Sequence, residues 1–314
     1  MSVDPAIAAM LTQAKSRNAG SIWDASIETM RTGYRERYRE RSAVPRAAVH
    51  RRSIAVETGS GSIPVAIYTP EGSSRPLPLM VYFHGGGFVL GDDAAYERQT
   101  SNLAIECECA VAFVDYRKAP EFKFPTAVDD AIAATRHLVR RRNELGFDEG
   151  QLVLIGDSAG ANLAINVASS EIGGMVDLLC LLYPVVDLRP YVGLESPSTS
   201  DTTFSTGFGL DFDHMRFFAH QYLPNTMAAA DVRASPIVGA RSWRQPPTLV
   251  FSARNDVLFD QASEFVSLVR SGSLDIEHIV FEGMIHNFMG HVGISSIASD
   301  YFKQICQFLY TRIH

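Results

Sequence analysis

The sequence predicts an α/β fold in which a mostly parallel central sheet is flanked by helices on both faces. From residue 79 onward, short apolar runs alternate with longer segments of helical periodicity, which is the order expected of such a fold. The apolar runs, for example 110–115 and 151–155, are nearly continuous, as is typical of parallel strands buried on both faces. The chain has 314 residues, of which 46% are hydrophobic and 20% are charged, within the range of globular domains.

The first 48 residues are predicted to be helical, because apolar residues recur at helical spacing over 7–14. The pattern then changes to runs rich in β-branched residues at 53–57, 63–68 and 79–83. Glycine- and serine-rich turns separate these runs, so we expect the sheet to begin with antiparallel strands.

The remaining elements alternate along the chain. The further predicted strands are 110–115, 151–155, 178–183, 247–253 and 277–281, and the further predicted helices are 125–143, 158–170, 259–270 and 295–311. Residues 187–235 interrupt this order, since they contain Pro, Ser, Thr and many aromatic residues but no strand pattern. A long insertion of this kind is more often a lid or a binding region than a linker.

The overall composition excludes several classes of function. The net charge of −7 disfavours nucleic acid as a partner, because phosphate binding depends on clustered Lys and Arg. Four scattered cysteines do not form a disulfide framework. The N-terminus shows neither a basic segment nor a following apolar stretch, and no apolar run approaches the ~20 residues of a membrane span. We therefore expect a cytoplasmic protein without a signal peptide or membrane span.

The strongest functional signal is the pentapeptide Gly156-Asp-Ser-Ala-Gly160, which has the form G-x-S-x-G. The alternative interpretation is a tight turn that contains a serine by chance. The context argues against that, because a predicted strand ends at the motif and a predicted helix begins within it. A nucleophile elbow requires this strand–turn–helix arrangement. We therefore predict that Ser158 is a catalytic nucleophile.

A serine hydroxyl needs a base and an orienting acid to act as a nucleophile at neutral pH. Asp256 follows the predicted strand 247–253 and His286 follows the strand 277–281, at the strand ends where open α/β sheets bind ligands. These residues also come in the order Ser, Asp, His. Asp260 is the alternative acid, but we expect it to cap the next helix. His291 is the rival base.

The tetrahedral intermediate of acyl transfer requires preorganised N–H donors. His84-Gly-Gly-Gly87 follows the predicted strand 79–83 and matches an HGGG-type motif that supplies them. We expect the oxyanion donors to be the backbone N–H groups of Gly86, Gly87 and Ala159, and His84 to be structural. A phosphate-binding glycine loop is excluded by spacing, because no Gly-Lys-Ser/Thr follows.

Four motifs in this order resemble the hormone-sensitive-lipase family of bacterial esterases, which has the α/β-hydrolase fold. They are His84-Gly-Gly-Gly87, Asp115-Tyr-Arg-Lys-Ala-Pro-Glu121, Gly156-Asp-Ser-Ala-Gly160 and Gly283-Met-Ile-His286. The resemblance implies a catalytic domain formed by 49–186 and 236–314, with a helical cap formed by 1–48 and 187–235. It also implies an ion pair between Arg117 and Glu121 that braces the loop below the site.

The sequence departs from the family pattern without losing a catalytic atom. The departures are Lys118, Phe122-Lys123, Ala161, Val257 and Asn287. Asn287 stands directly after His286, where the family commonly has Gly. We expect it to alter the rim of the pocket, so the substrate range is the property that the resemblance defines least.

The predicted function is a serine esterase that hydrolyses small-molecule carboxylic esters with short to medium acyl chains, without a metal or organic cofactor. The same residues could instead serve an amidase, a lactonase or a deacetylase. A non-catalytic small-molecule receptor is a further alternative from another class, although family members of that kind lack the catalytic histidine. The resemblance also makes a homodimer plausible.

Overall fold

The computed structural model describes residues 2–16, 20–41, 48–73, 76–243, 246–272 and 275–314. Within these ranges the chain forms one sheet of eight strands. The strands are β1 (Val49–Thr58), β2 (Gly61–Pro70), β3 (Leu77–Phe83), β4 (Ala110–Val114), β5 (Phe147–Asp157), β6 (Leu178–Leu182), β7 (Thr248–Asn255) and β8 (Ile276–Ile285).

Ten α-helices occur in the same described ranges. They are α1 (Pro5–Ser16), α2 (Ile27–Arg41), α3 (Asp93–Glu106), α4 (Thr126–Arg140), α5 (Arg142–Leu145), α6 (Ala159–Ala168), α7 (Thr199–Thr203), α8 (Phe212–Tyr222), α9 (Phe259–Arg270) and α10 (Ser296–Ile313). None of the helices in the described part of the chain is both long and apolar enough to span a membrane.

The sheet has the strand order β1-β2-β4-β3-β5-β6-β7-β8. β1 pairs antiparallel with β2, and β2 antiparallel with β4, which confirms the predicted antiparallel start. All later pairings are parallel. The carboxyl ends of β3, β5, β7 and β8 therefore meet at one edge, where ligand sites of such sheets lie.

Hydrophobic cores cover both faces of the sheet. Successive strand residues point to opposite faces, so Val81 belongs to one core and its neighbour Met80 to the other. Leu163 of α6 and Phe265 of α9 complete the first core, whereas Leu103 of α3 lies in the second. This burial explains why β3 is apolar throughout, as all seven of its residues are buried.

Residues 187–235 contain no strand in the structure, as expected. They form α7, α8 and short 3-10 helices such as Pro190–Val192. The N-terminal segment contacts this insertion, because the Trp23 Nε1–H donates to Asp213 Oδ2 at 2.9 Å. The Trp23 ring also meets Phe217 edge-on, with centroids 5.2 Å apart. Parts of the predicted N-terminal cap segment, residues 1, 17–19 and 42–47, lie outside the described residues.

The expected ion pair between Arg117 and Glu121 is wrong. Arg117 pairs instead with Asp130 of α4, whose Oδ1 lies 2.5 Å from the guanidinium. Asp130 is fully buried, and a buried carboxylate requires a cation and hydrogen-bond donors. Glu121, whose side chain is 52% exposed, pairs with Arg31 of α2 at 2.7 Å. Neither partner was evident from the sequence, because Asp130 lies 13 positions from Arg117 on the next helix and Arg31 lies 90 positions from Glu121.

Candidate active site

Ser158 lies in a sharp turn between β5 and α6. Its φ of 54° and ψ of −116° are rare for a residue with a side chain. The local sequence allows this turn because Gly160 has no Cβ, and an added Cβ would lie 1.9 Å from the Phe83 carbonyl oxygen. The Ser158 N–H donates to the Leu182 carbonyl at 2.8 Å. The turn therefore places a serine hydroxyl at the carboxyl edge of the sheet.

His286 and Asp256 reach the same edge from two neighbouring strands. Asp256 directly follows β7 and His286 directly follows β8. Nε2 of His286 lies 2.9 Å from the Ser158 Oγ, and Nδ1 of His286 lies 2.7 Å from Asp256 Oδ2. Asp256 is 2% exposed, and its Oδ1 accepts the Leu258 N–H at 3.0 Å. The hydroxyl, the imidazole and the carboxylate thus form one hydrogen-bonded row.

The two rival residues occupy other positions. Oδ2 of Asp260 accepts the Ser200 N–H at 2.8 Å and lies in the first turn of α9. The expectation that Asp260 caps this helix is wrong, since the N-cap is Leu258. The helix itself begins at Phe259, as the sequence predicts. His291 is buried at the end of the 3-10 helix Phe288–His291, and the hydrogen bond to Ser158 comes from His286.

The glycine loop after β3 presents unengaged N–H groups. The N–H groups of Gly86, Gly87 and Ala159 donate to no acceptor in the described part of the chain. Gly87 has a φ of 63°, and an added Cβ there would lie 2.3 Å from the Phe218 ring of α8. A side chain at this position would therefore strain the backbone and collide with the insertion.

His84, at the start of the glycine loop, has a structural environment. It is fully buried, its Nδ1 lies 2.8 Å from the Gly85 carbonyl oxygen, and its ring stacks on Tyr116 with centroids 4.2 Å apart. Burial lowers the pKa of His84 to about 3, so the imidazole is neutral at physiological pH. The Tyr116 hydroxyl donates to the His84 carbonyl at 2.8 Å, which fixes the start of the loop.

Asp157, the residue before the serine, was not singled out from the sequence. Its Oδ1 accepts the Tyr82 hydroxyl at 2.8 Å and the Gly85 N–H at 2.9 Å. Its Oδ2 accepts the Tyr96 hydroxyl at 3.1 Å. Burial raises the pKa of Asp157 to about 6. This carboxyl joins the serine turn to the glycine loop, and the only sequence signal for it was its place in the pentapeptide.

Comparison with known proteins gives consistent similarities. A family model described as alpha/beta hydrolase fold matches residues 80–290. The chain is 29% identical to an ethyl acetate hydrolase of Pseudomonas putida, over 92% of each chain. It is also 29% identical to an arylesterase of Saccharolobus solfataricus, over 83% of this chain and 87% of the relative. A hyperthermophilic esterase from the archaeon Pyrobaculum calidifontis superimposes with a TM-score of 0.90 at 29% identity, over 99% of each chain.

Proposed function

The chain belongs to the hormone-sensitive-lipase family of α/β-hydrolases, and on that premise we propose that it hydrolyses esters with short to medium acyl chains. Ser158 is the proposed nucleophile, His286 the proposed base and Asp256 the proposed orienting acid. The predicted fold, family and enzyme class, a carboxylic ester hydrolase, are confirmed by its relatives. The observation that carries the proposal is the row Ser158 Oγ–His286 Nε2–Asp256 Oδ2, with contacts of 2.9 and 2.7 Å.

In the acylation step, the Ser158 Oγ attacks the ester carbonyl carbon while Nε2 of His286 takes the hydroxyl proton. The tetrahedral intermediate then collapses, the bond to the alcohol oxygen breaks, and the alcohol leaves with the proton from His286. A water molecule next attacks the acyl carbon while Nε2 of His286 takes one of its protons, and the bond to the Ser158 oxygen then breaks. Release of the acid returns the proton to the Ser158 oxygen.

Asp256 supports both proton transfers through the histidine. Its Oδ2 accepts the Nδ1–H, which keeps Nε2 free to accept the serine proton and stabilises the imidazolium that forms. The carboxylate itself is held by the Leu258 N–H at 3.0 Å. Because Asp256 is buried, little water competes for this hydrogen bond.

We assign the oxyanion hole to the N–H groups of Gly86, Gly87 and Ala159. The support is that these donors are unengaged within the described residues. Ala159 directly follows Ser158, and the glycine loop starts against the same turn, where a Cβ on Gly160 would lie 2.6 Å from the His84 carbonyl oxygen. Ala159 is the first residue of α6, so the positive end of the helix dipole adds to the stabilisation of negative charge.

We further propose that residues 1–48 and 187–235 form the cap and limit the length of the acyl chain. The support is the close approach of the Phe218 ring to Gly87 and the contact of Trp23 with α8. A bulky aromatic ring beside the glycine loop leaves room for a small apolar group rather than a long chain. The alternatives amidase, lactonase and deacetylase would use the same row of residues. The cytoplasmic location and the homodimer stay predictions.

A chain-length series tests the proposal. Nitrophenyl esters from acetate to palmitate are compared with the matched anilides, and we expect the highest kcat/KM among the short and medium esters. A maximum at palmitate would contradict the proposed cap, and faster cleavage of anilides would favour an amidase.

Two variants test the nucleophile. Ser158→Ala should lower kcat about 10⁶-fold without a change in melting temperature. Ser263→Ala is the matched control, because its hydroxyl donates only to the Phe259 carbonyl within α9, and it should retain full activity. Substantial turnover by the Ser158→Ala variant would refute the assignment.

A further inference from the structure

We propose that Tyr38 of α2 and Asn287 are positioning residues for the catalytic histidine, through a hydrogen bond that ties the N-terminal helix to the loop carrying His286. The Tyr38 hydroxyl donates to Asn287 Oδ1 at 2.8 Å across 249 positions of sequence. This inference rests on the proposed role of His286 as the base.

Asn287 has a backbone conformation that needs support. Its φ of 59° and ψ of 39° lie in the left-handed region, which Gly adopts freely and Asn tolerates better than most residues. This conformation turns the chain directly after His286 into the 3-10 helix Phe288–His291. A change in the backbone conformation of Asn287 would therefore rotate the peptide that follows His286.

Free space lies beside this loop. A cavity of about 40 Å³ is lined by Tyr38, Met289 and Gly290, among others. Close packing resists small displacements, but a cavity does not. The loop thus has room to shift on the side where Tyr38 holds it. The Tyr183 hydroxyl also donates to Asn287 Oδ1, but at 3.4 Å, so the shorter hydrogen bond from Tyr38 is the stronger restraint on the position of the histidine.

The Tyr38 hydroxyl is itself held in a buried cluster. Its ring packs 4.7 Å from the Tyr34 ring and 5.0 Å from the Tyr96 ring, measured between centroids. Burial raises the pKa of Tyr38 to about 12, so the hydroxyl keeps its proton and acts as a donor at neutral pH. The Tyr96 hydroxyl donates to Asp157. The cluster therefore contacts the residue before the serine and the residue after the histidine.

A purely structural role for the cluster makes a different prediction. If the tyrosines only pack α2 against the domain, then removal of the Tyr34 or the Tyr38 hydroxyl should have similar effects. Tyr34 lies on the same helix, and its hydroxyl contacts those of Tyr38 and Tyr96 at 3.0 and 2.8 Å. Within the described residues, its hydroxyl makes no hydrogen bond to Asn287, so Tyr34→Phe is the matched control.

The experiment measures steady-state kinetics on a short-chain ester for the wild type and for four variants. These are Tyr38→Phe, Asn287→Gly, the double variant and the control Tyr34→Phe. Gly at 287 keeps the left-handed conformation accessible and removes the carboxamide that accepts the hydrogen bonds from Tyr38 and Tyr183. We expect kcat to fall about tenfold in Tyr38→Phe and in Asn287→Gly with KM changed less than twofold, since misplacement of a reacting group costs rate rather than affinity. Tyr34→Phe should stay within twofold of the wild type.

The double variant should be no slower than the slower single variant, because both substitutions remove the same hydrogen bond between Tyr38 and Asn287. Three results would each overturn the inference. They are a double variant whose loss of kcat is the product of the two single losses, a Tyr38→Phe variant as active as the wild type, and an equal loss of kcat in Tyr34→Phe. If Tyr38→Phe does not fold, an unchanged kcat in Asn287→Gly would still overturn the inference, since that variant removes the acceptor and leaves every tyrosine in place. A wild type that neither hydrolyses esters nor reacts with a fluorophosphonate probe would instead refute the proposed function.

Discussion

Asp157 should make the stability of the protein depend on pH, and the substitution Asp157→Asn should remove that dependence. Burial raises the pKa of this carboxyl from 3.8 to about 6. This shift corresponds to a difference of about 3 kcal/mol in the free energy of unfolding between the protonated and the ionised carboxyl. Because the pKa is raised on folding, the folded state binds more protons than the unfolded state between pH 4 and pH 6. The contribution to stability is therefore complete below pH 4 and lost as the pH rises through 6.

Asn can replace the protonated carboxyl at this site. Its oxygen can accept the Tyr82 hydroxyl and the Gly85 N–H, as Oδ1 of Asp157 does. Its amide nitrogen can donate to the Tyr96 hydroxyl, which in turn can donate to Tyr34 at 2.8 Å. The variant should thus keep all of these contacts without the cost of burying a charge.

The assay is differential scanning calorimetry of the wild type and the variant from pH 4 to pH 8. For a chain of 314 residues, about 3 kcal/mol corresponds to about 4–5 °C in melting temperature. The variant should gain this amount relative to the wild type between pH 4 and pH 7. The control is Asp24→Asn, because the Asp24 carboxylate is exposed, and its melting temperature should show no such gain. If the melting temperatures of the wild type and Asp157→Asn changed with pH in parallel, the reasoning would be refuted.

Three further substitutions test the site and its supports. Asp256→Asn should lower kcat about 10⁴-fold, because the amide favours the wrong tautomer of His286, and a loss below tenfold in steady-state assays would exclude Asp256 from the triad. Arg117→Met leaves Asp130 buried without its cation and should lower the free energy of unfolding by about 3–5 kcal/mol. Calorimetry should show this as a melting temperature lower by about 5–8 °C, and an unchanged melting temperature would contradict the prediction. Gly160→Ala would place a Cβ 1.9 Å from a main-chain carbonyl oxygen, so the variant should give no folded protein by circular dichroism, and a cooperative thermal transition would show that the turn can adjust.

The fold and the row of three residues could be predicted because their signals are local. A strand that ends at Gly156-Asp-Ser-Ala-Gly160 specifies a turn and a helix within a few residues, and parallel strands place their carboxyl ends together without further information. Asp256 and His286 needed only the rule that they follow strand ends. The sequence therefore predicted which residues meet at the edge of the sheet.

Side-chain partners that cross between elements could not be predicted. Arg117 had an acidic residue nearby in sequence in Glu121, but the structure pairs it with Asp130, whose complete burial is a property of the packed fold. The hydrogen bond between Tyr38 and Asn287 joins residues 249 positions apart. No periodicity or motif spacing encodes such a contact, because it depends on where α2 packs against the domain.

The structure also indicates which part of the molecule holds the strained serine. A left-handed backbone at Ser158 costs on the order of 1–3 kcal/mol, so surrounding contacts must enforce it. These contacts come from the centre of the sheet, namely the close packing of Gly160 on β3 and the hydrogen bond from the Ser158 N–H to the end of β6. Asn162 and Asn166 of α6 also donate to the carbonyl oxygens of Ala234 and Arg233 at 3.0 and 2.9 Å, so the end of the insertion holds the helix that follows the serine. Displacement of α8, elsewhere in the insertion, should therefore change which substrates reach the serine while leaving its nucleophilic geometry intact.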